Sequence, residues 1–476
     1  MQQLTALDAI FINESDTQFQ HICDIMIFDA DGPGLTLEEL RAVVEPRLHL
    51  IGPLRRRLVE VPFGIDEPYW IEDPDFDLGN HLLEESLPAP GGDRELAELT
   101  AQIAGQPLDR SRPLWELHLI HGLEGGRTAL IKKFHHAAVD GASGLEIVGI
   151  LLDPTPEPRE VPAPTEEWRP DTVPQESEML LRGFAGAVTR PLRMFEAQQR
   201  LLQNLPKPGE PILRPTGDQS TDGGFLSAPG QAAPPTPWNR KITAERSVAL
   251  GSVPLSDVKE IKNRFGVSVN DVIVAVSAGG IRRWLQERNA LPSKPLLVGV
   301  PISVRTEEER TQFGNRVSLL IATFPTHLAT AEERVRAAHE AMKVAKEEHN
   351  AIGANLMGDM GELMMPALQA RASRVTASLD LPEAPEALEE VLRWNLSISN
   401  VPGSRVPLYL AGHRLQAHYP VGMVHERQGL MITLFSYLDA IGFGLVSDPA
   451  LVPDLWHLLD LIKDELQQLK DVPVES

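Results

Sequence analysis

His135 and His136, followed by Ala137-Ala138-Val139 and then Asp140-Gly141, are the residues of this 476-residue chain best suited to chemistry. Imidazole exchanges protons near neutral pH. An alcohol hydroxyl ionises far above pH 7, so its attack on an acyl carbonyl is slow unless a base takes the proton as the bond forms. One positioned imidazole supplies about a hundred- to ten-thousand-fold. Side chains alternate along a strand, so the two histidines face opposite sides and only one can face a given cavity. His136 is the expected base and His135 its support; the spacing disfavours two merely structural histidines.

Asp140 has two readings. It could orient His136 as a triad acid does, or it could pair with an arginine and hold the turn rigid. The second is favoured, with Arg305 at the end of a strand as the partner to test. Gly141 suits close approach of backbone or ligand. Adjacent histidines on opposite faces cannot both bind one ion without distortion, so no metal site is expected. Asn270 and Asp271 fall in the first turn of a helix, where backbone N–H groups are free. Asp271 reads most simply as a helix-start residue, and Asn270 as a candidate oxyanion donor. Pro113-Leu114-Trp115 alone is core, and Asn400-Val401-Pro402-Gly403 alone is a strand end with a Pro-Gly turn.

These groups need elements to hold them. Thr128 to Phe134 reads as a strand and Ser143 to Leu152 as a helix, which puts the histidines on the turn between. Ile22 to Phe28 reads as a strand. Thr36-x-x-Glu39 is a capping box for a helix reaching Leu48, and a second helix runs from about Arg94 to Ala104. In the second half, helices start at Leu255, Ser268 and Thr330. Strands fall at Leu296 to Val304, Val317 to Phe324, Asn395 to Asn400, Leu430 to Tyr437 and Ile441 to Val446. A terminal amphipathic helix carries Leu455, Leu458, Leu459 and Ile462. The chain thus divides into residues 1–152, a Pro-rich crossover at 153–245, and residues 246–476. Within the crossover, Met179 to Leu205 alternates apolar residues with Arg182, Arg190, Arg193 and Arg200. Packing on the protein's own surface is favoured there over contact with a lipid surface.

Composition limits the alternatives. The length suggests two domains, and 42% hydrophobic with 23% charged residues describes a globular enzyme. A net charge of −23 disfavours nucleic acid as a partner. The single Cys23 closes no disulfide and sits in an apolar stretch as a buried, inert thiol. The start lacks the basic and apolar regions of a secretion signal, and no apolar run spans a bilayer, so a cytoplasmic, soluble or peripheral protein is expected. No G-x-S-x-G occurs, which disfavours a serine hydrolase, and no phosphate-binding G-x-x-x-x-G-K-[ST] loop occurs.

Taken together, the motifs resemble the bacterial wax ester synthase/acyl-CoA:diacylglycerol acyltransferase family. The matching elements, in order, are Leu7-Asp8-Ala9, Pro113-Leu114-Trp115, and His135 through Gly141. Val269-Asn270-Asp271-Val272, Pro301-Ile302-Ser303-Val304-Arg305, Phe313-Gly314-Asn315, and Ser397 through Gly403 follow. The resemblance implies an α/β (α+β) fold of two chloramphenicol-acetyltransferase-like domains with the active site in a tunnel at their interface. It implies transfer of a long-chain acyl group from acyl-CoA to a fatty alcohol or diacylglycerol, with His136 as base, no metal and no bound cofactor. Asp271, Arg305, Pro113, Leu114, Trp115, Asn400, Pro402 and Gly403 would then shape the site. Peripheral contact with the inner membrane or lipid bodies suits such substrates. Two rivals stand beside this: an acyltransferase of the condensation type using a carrier-protein donor, and a non-catalytic protein that binds lipid bodies.

Overall fold

A computed structural model of the chain describes residues 1–30, 34–186, 233–305, 313–352 and 394–472. Two six-stranded mixed sheets dominate among these residues. The first runs Tyr409–Leu410, His413–Val421, His21–Phe28, Thr128–His135, Trp115–His121, Leu82–Ser86; only the last pair is parallel. The second runs Val317–Phe324, Leu296–Ser303, Leu396–Pro402, Leu430–Tyr437, Ala440–Ser447, Ser247–Pro254. Its third strand is parallel to both neighbours, and the other pairs are antiparallel.

The division into 1–152 and 246–476 does not hold for the first sheet. Its inner neighbour to His21–Phe28 is His413–Val421, a strand from the second half, in antiparallel register from Val421↔Cys23 to Leu415↔Phe28. This crossover strand is clamped from the other side as well. A Cβ at Gly442 or Gly444 would meet the His418 carbonyl at 2.3 Å or the Pro420 carbonyl at 1.8 Å, so glycine is needed for the strands to cross that closely. Thr433 Oγ1 donates to the Pro420 carbonyl at 2.5 Å.

Helices form where the caps demand. Thr36 and Glu39 make the reciprocal capping box of Leu37–Val44. That helix stops four residues short of Leu48, where Pro46 has no N–H to continue the helical bonding; a 3-10 segment Glu45–Leu50 continues the chain. Ser268 and Asp271 cap Val269–Glu287 in the same way, and Thr330 accepts from Glu333 N before Ala331–Ile352. Gly266 closes Leu255–Phe265 at φ 68°, the left-handed conformation that favours glycine. The terminal helix Leu455–Asp471 buries Leu455, Leu458, Leu459 and Ile462 against Val269–Glu287 and the second sheet. Trp284 and Phe443 lie in the same core, and Phe28, Trp115 and Phe134 in that of the first sheet. Of the crossover, residues 176–186 are helical with Met179 buried and Leu181 and Phe184 exposed. Arg190, Arg193 and Arg200 lie outside the described residues. No single described helix is long and apolar enough to cross a membrane; only the pair Leu255–Phe265 and Val269–Glu287 passes by composition, and it is bent by 101°.

Candidate active site

The strand Thr128–His135 is buried along its whole length and delivers its last residues to the join between the two sheets. Leu114 and Trp115 brace it. The Leu114 carbonyl accepts His135 N–H at 3.0 Å, and Trp115 stands opposite Phe134. Trp115 Nε1 donates to the Leu54 carbonyl at 2.8 Å, and its indole stacks on His81 with centroids 4.3 Å apart. The Pro113 carbonyl accepts Trp115 N–H at 2.9 Å. This motif therefore positions the histidine strand from behind. His135 is itself closed in: its Nδ1 accepts Ala137 N–H at 3.2 Å, and Nε2 lies 3.3 Å from Glu14 Oε1.

His136 begins the turn. Its N–H donates to the Gln20 carbonyl at 2.7 Å, which extends the strand ladder by one residue. Its ring stacks on Phe11 with centroids 4.2 Å apart. The residue keeps accessible surface, to which Nδ1 contributes none: that atom is buried without a hydrogen-bond partner. Burial pushes the imidazole down to about 4 against the opposing pull of the Asp140 carboxylate. The ring is therefore neutral across the physiological range, the form a base requires. Low intrinsic basicity accompanies that neutrality.

Asp140 is bound into the scaffold. It caps helix Gly141–Leu151 by accepting Ser143 N–H at 2.8 Å. Arg305 Nη2 donates to its Oδ1 at 2.8 Å, and Arg316 N–H to its Oδ2 at 3.0 Å. Both side chains of this ion pair are buried, 0% exposed for Asp140 and 4% for Arg305. Burial works against the Asp140 carboxylate, and the Ser143 N–H and Arg305 outweigh it to hold the group below the usual range. The Asp140–Arg305 pair ties the histidine turn of the first half to the second. A Cβ at Gly141 would lie 3.9 Å from Val401 Cγ2, ordinary contact, so no protein neighbour demands glycine there.

Asn270 and Asp271 open the helix Val269–Glu287. Asp271 Oδ2 accepts Ser268 N–H at 2.8 Å and lies 2.8 Å from His339 Nδ1. Among the described residues no hydrogen bond or ion pair joins this helix start to the histidine turn, and Asn270 is only half-buried. Asn400 and Pro402 end the strand Leu396–Pro402, and Val401 between them reaches Gly141. Gly403 lies under Phe435: a Cβ would come within 2.2 Å of that ring.

Three further residues meet at the turn. Asn315 is buried, and its Nδ2 lies 2.7 Å from both Asp8 Oδ1 and the His136 carbonyl, donating to each. Its Oδ1 is buried without a partner. His425, in a second neutral ring, is pushed down to about 4 by burial and by the charge that His136 would carry. The turn holding it is fixed through Glu426, which accepts from Thr17 Oγ1 at 2.9 Å and from Ile242 N–H at 3.2 Å. Among the described residues no three metal-ligating side chains gather to hold an ion.

Comparison with known proteins decides what this arrangement belongs to. The catalytic-domain pattern of wax ester synthases/diacylglycerol acyltransferases matches residues 4–273, and the C-terminal domain pattern of the same enzymes matches 313–470. The chain belongs to the wax ester synthase/diacylglycerol acyltransferase family. A putative diacylglycerol O-acyltransferase of Mycobacterium tuberculosis, Rv1760, is 34% identical over 98% of this chain and 90% of its own length. A second from that organism, Rv3740c, is 33% identical over 98% of this chain and 99% of its own length. The wax ester synthase/diacylglycerol acyltransferase from Marinobacter aquaeolei VT8 shares the fold at TM-score 0.67 and 27% identity, covering 98% of each chain. The first condensation domain of the CDA synthetase aligns at TM-score 0.56 and 17% identity, over 100% of this chain and 97% of that one, a likeness of fold alone.

As a wax ester synthase/diacylglycerol acyltransferase, the chain is an acyltransferase built on the two-domain α/β plan its motifs imply. Two motifs that carried no assigned role, Leu7-Asp8-Ala9 and Phe313-Gly314-Asn315, meet through Asp8 and Asn315 on the backbone of His136. No local pattern announces that meeting. An Asn after Phe-Gly reads as a loop residue until its partner, 307 positions away, is known.

Acid should destabilise this family member through its buried histidines. Burial pushes His21 down to about 3, and His136 and His425 to about 4, from an ordinary 6.5. Below 6.5 the unfolded chain takes up protons that the folded one refuses. The stability these neutral rings support is complete above 6.5 and is lost as pH falls toward 4, by up to about 1.4 kcal/mol per pH unit for each. A thermal melt at pH 5 should therefore lie several degrees below one at pH 7; equal midpoints would contradict the burial of these rings.

Proposed function

We propose that the chain transfers a long-chain acyl group from acyl-CoA to the hydroxyl of a fatty alcohol or diacylglycerol in one ternary complex. Neutral His136 takes the hydroxyl proton on Nε2. The oxygen attacks the thioester carbonyl, a C–O bond forms, the C–S bond breaks, and the imidazolium returns its proton to the departing CoA thiolate. A tunnel with opposite mouths for the two substrates fits a site at the join of two sheets. No acyl-enzyme is needed, and Cys23 is poorly suited to one: burial raises its thiol to about 12. The exposed Leu181 and Phe184 beside Arg182 support peripheral contact with a lipid surface.

The observation that carries the reading is a buried, neutral imidazole that keeps accessible surface while its Nδ1 does not. Its tautomer follows from Asn315. An Nδ1–H directed at Asn315 Oδ1 would satisfy two orphaned buried atoms with one bond and leave the lone pair on Nε2. Asn315 also favours the protonated ring, the form that develops during transfer. Replacing Asn315 with Ala should lower kcat about ten- to a hundredfold with little change in KM, the mark of an interaction gained in the transition state. Loss confined to KM would remove this role.

Palmitoyl-CoA offered together with hexadecanol and a diacylglycerol tests the function. Ester formation with equimolar CoA release is expected, and the product ratio identifies the main acceptor. Absence of both esters would overturn the proposal.

A further inference from the structure

The face of the first sheet that carries His136 ends in charge. Register places Ile22 opposite Phe134, Asp24 opposite Lys132 and Met26 opposite Leu130, and the His136–Gln20 bond continues the same ladder. Opposed residues of an antiparallel pair share a face, so Ile22, Asp24 and Met26 line up beneath His136. Ile22 and Asp24 keep accessible surface as His136 does, whereas Met26 and Leu130 are closed at 0%. Both edges of the His21–Phe28 strand are paired, so this surface belongs to the sheet's face. The second half roofs that face: Val401 stands over Gly141, and Phe435 covers His418 with ring centroids 3.9 Å apart. Partly accessible residues therefore follow one another along that face from His136 past Ile22 to Asp24 and stop at Met26.

At its end sit three buried polar groups. Lys132 Nζ lies 2.9 Å from Asp24 Oδ2, and His418 Nε2 lies 3.3 Å from Asp24 Oδ1. Lys132 is 0% exposed and His418 1%. Asp24 holds Lys132 in a buried ion pair, and both His418 nitrogens lack a well-formed hydrogen bond. Burial works against the Asp24 carboxylate, and Lys132 outweighs it to keep the group charged. Burial holds His418 down, hence neutral. A plain hydrocarbon tail reaching this point would leave both His418 nitrogens without a partner. A hydroxyl, which donates once and accepts twice, matches a carboxylate beside an ammonium and a neutral imidazole.

We propose that Asp24, Lys132 and His418 form a recognition site for a hydroxyl carried within the acyl or alkyl chain of the substrate. Four residues of extended strand separate Lys132 from His136, roughly 13 Å or on the order of ten methylenes. The preferred substrate is thus a mid-chain-hydroxylated lipid with its reacting group at His136. This assignment rests on the acyl-transfer reading for the position of the reacting end.

Two arms separate the source of the hydroxyl. One compares 12-hydroxystearoyl-CoA with stearoyl-CoA at fixed hexadecanol; the other compares octadecane-1,12-diol with octadecanol at fixed palmitoyl-CoA. In at least one arm kcat/KM should favour the hydroxylated chain about tenfold or more, worth about 1.4 kcal/mol. The double replacement Asp24→Leu with Lys132→Met exchanges a buried pair for apolar side chains of similar size, a change proteins often tolerate, and should abolish or invert that ratio. His418→Leu, which leaves the ion pair intact, should reduce it. Calorimetric binding of 12-hydroxystearate against stearate reads the same preference without turnover. Preferential binding with no ester formed would overturn the acyl-transfer reading alone. A ratio near one in both arms, or a ratio unmoved in the variants, would overturn this site and leave the cluster as a tie between strands; equal binding of the two stearates would overturn it for the acyl chain.

Discussion

Replacing His136 with Ala is expected to lower kcat/KM for ester formation by about a hundred- to ten-thousand-fold, the usual worth of one positioned base, with the thermal midpoint little changed. The stability half of that expectation comes from the surroundings. The bonds that fix the turn run through the His136 backbone, to the Gln20 carbonyl and from Asn315 Nδ2, and survive truncation of the side chain. What the ring loses is its stack on Phe11. Removing it also removes a group that resists protonation, so the variant should tolerate acid slightly better than the parent. Ester formation at the parental rate would end the case for this imidazole as the base.

Arg305→Ala is expected to have the largest effect on stability. The Asp140 carboxylate is fully buried, and without the guanidinium it keeps only the Ser143 and Arg316 N–H groups. Breaking one side of a buried pair costs about 3–5 kcal/mol, because the remaining charge is stranded. A lowered melting temperature with activity lost in proportion to unfolding is the expected result. The exchange of both partners, Asp140→Ser with Arg305→Met, should recover much of the loss, since a serine can still cap the helix. A triad acid would behave differently. Removing Asp140 would then depress kcat in a fully folded protein, and that outcome would restore the orienting role.

The legible parts of this chain are those written in short range. The histidine turn announces itself through residue type, and the flanking strand and helix through periodicity. The boxes at Thr36 and Ser268 are read from two residues each, because a cap depends only on its own first turn. Arg305 was recognisable as a partner for Asp140 because it is a cation placed at a strand end. Elements set by distant pairing were not. The strand His413–Val421 alternates too weakly to be seen, since its long partner His21–Phe28 lies far away in the chain and Gly442 and Gly444 press on it from a second direction. Asp24 and Lys132 look like solvated charges in sequence, yet they face one another across a buried ladder. Asn270 illustrates a different limit: its residue type suits an oxyanion donor, but its place at a helix start assigns it no bond to the histidine turn among the described residues.

The crossover strand also governs how the protein comes into being. Until Val421 has left the ribosome, His21–Phe28 lacks the neighbour that covers one of its edges. Eight residues rich in Ile, Met and Phe then present bare N–H and C=O groups, the condition that invites pairing with a stranger. Nascent chains of this protein therefore spend most of their synthesis in need of a chaperone's shelter, and truncation anywhere before residue 413 should send the first half into inclusion bodies.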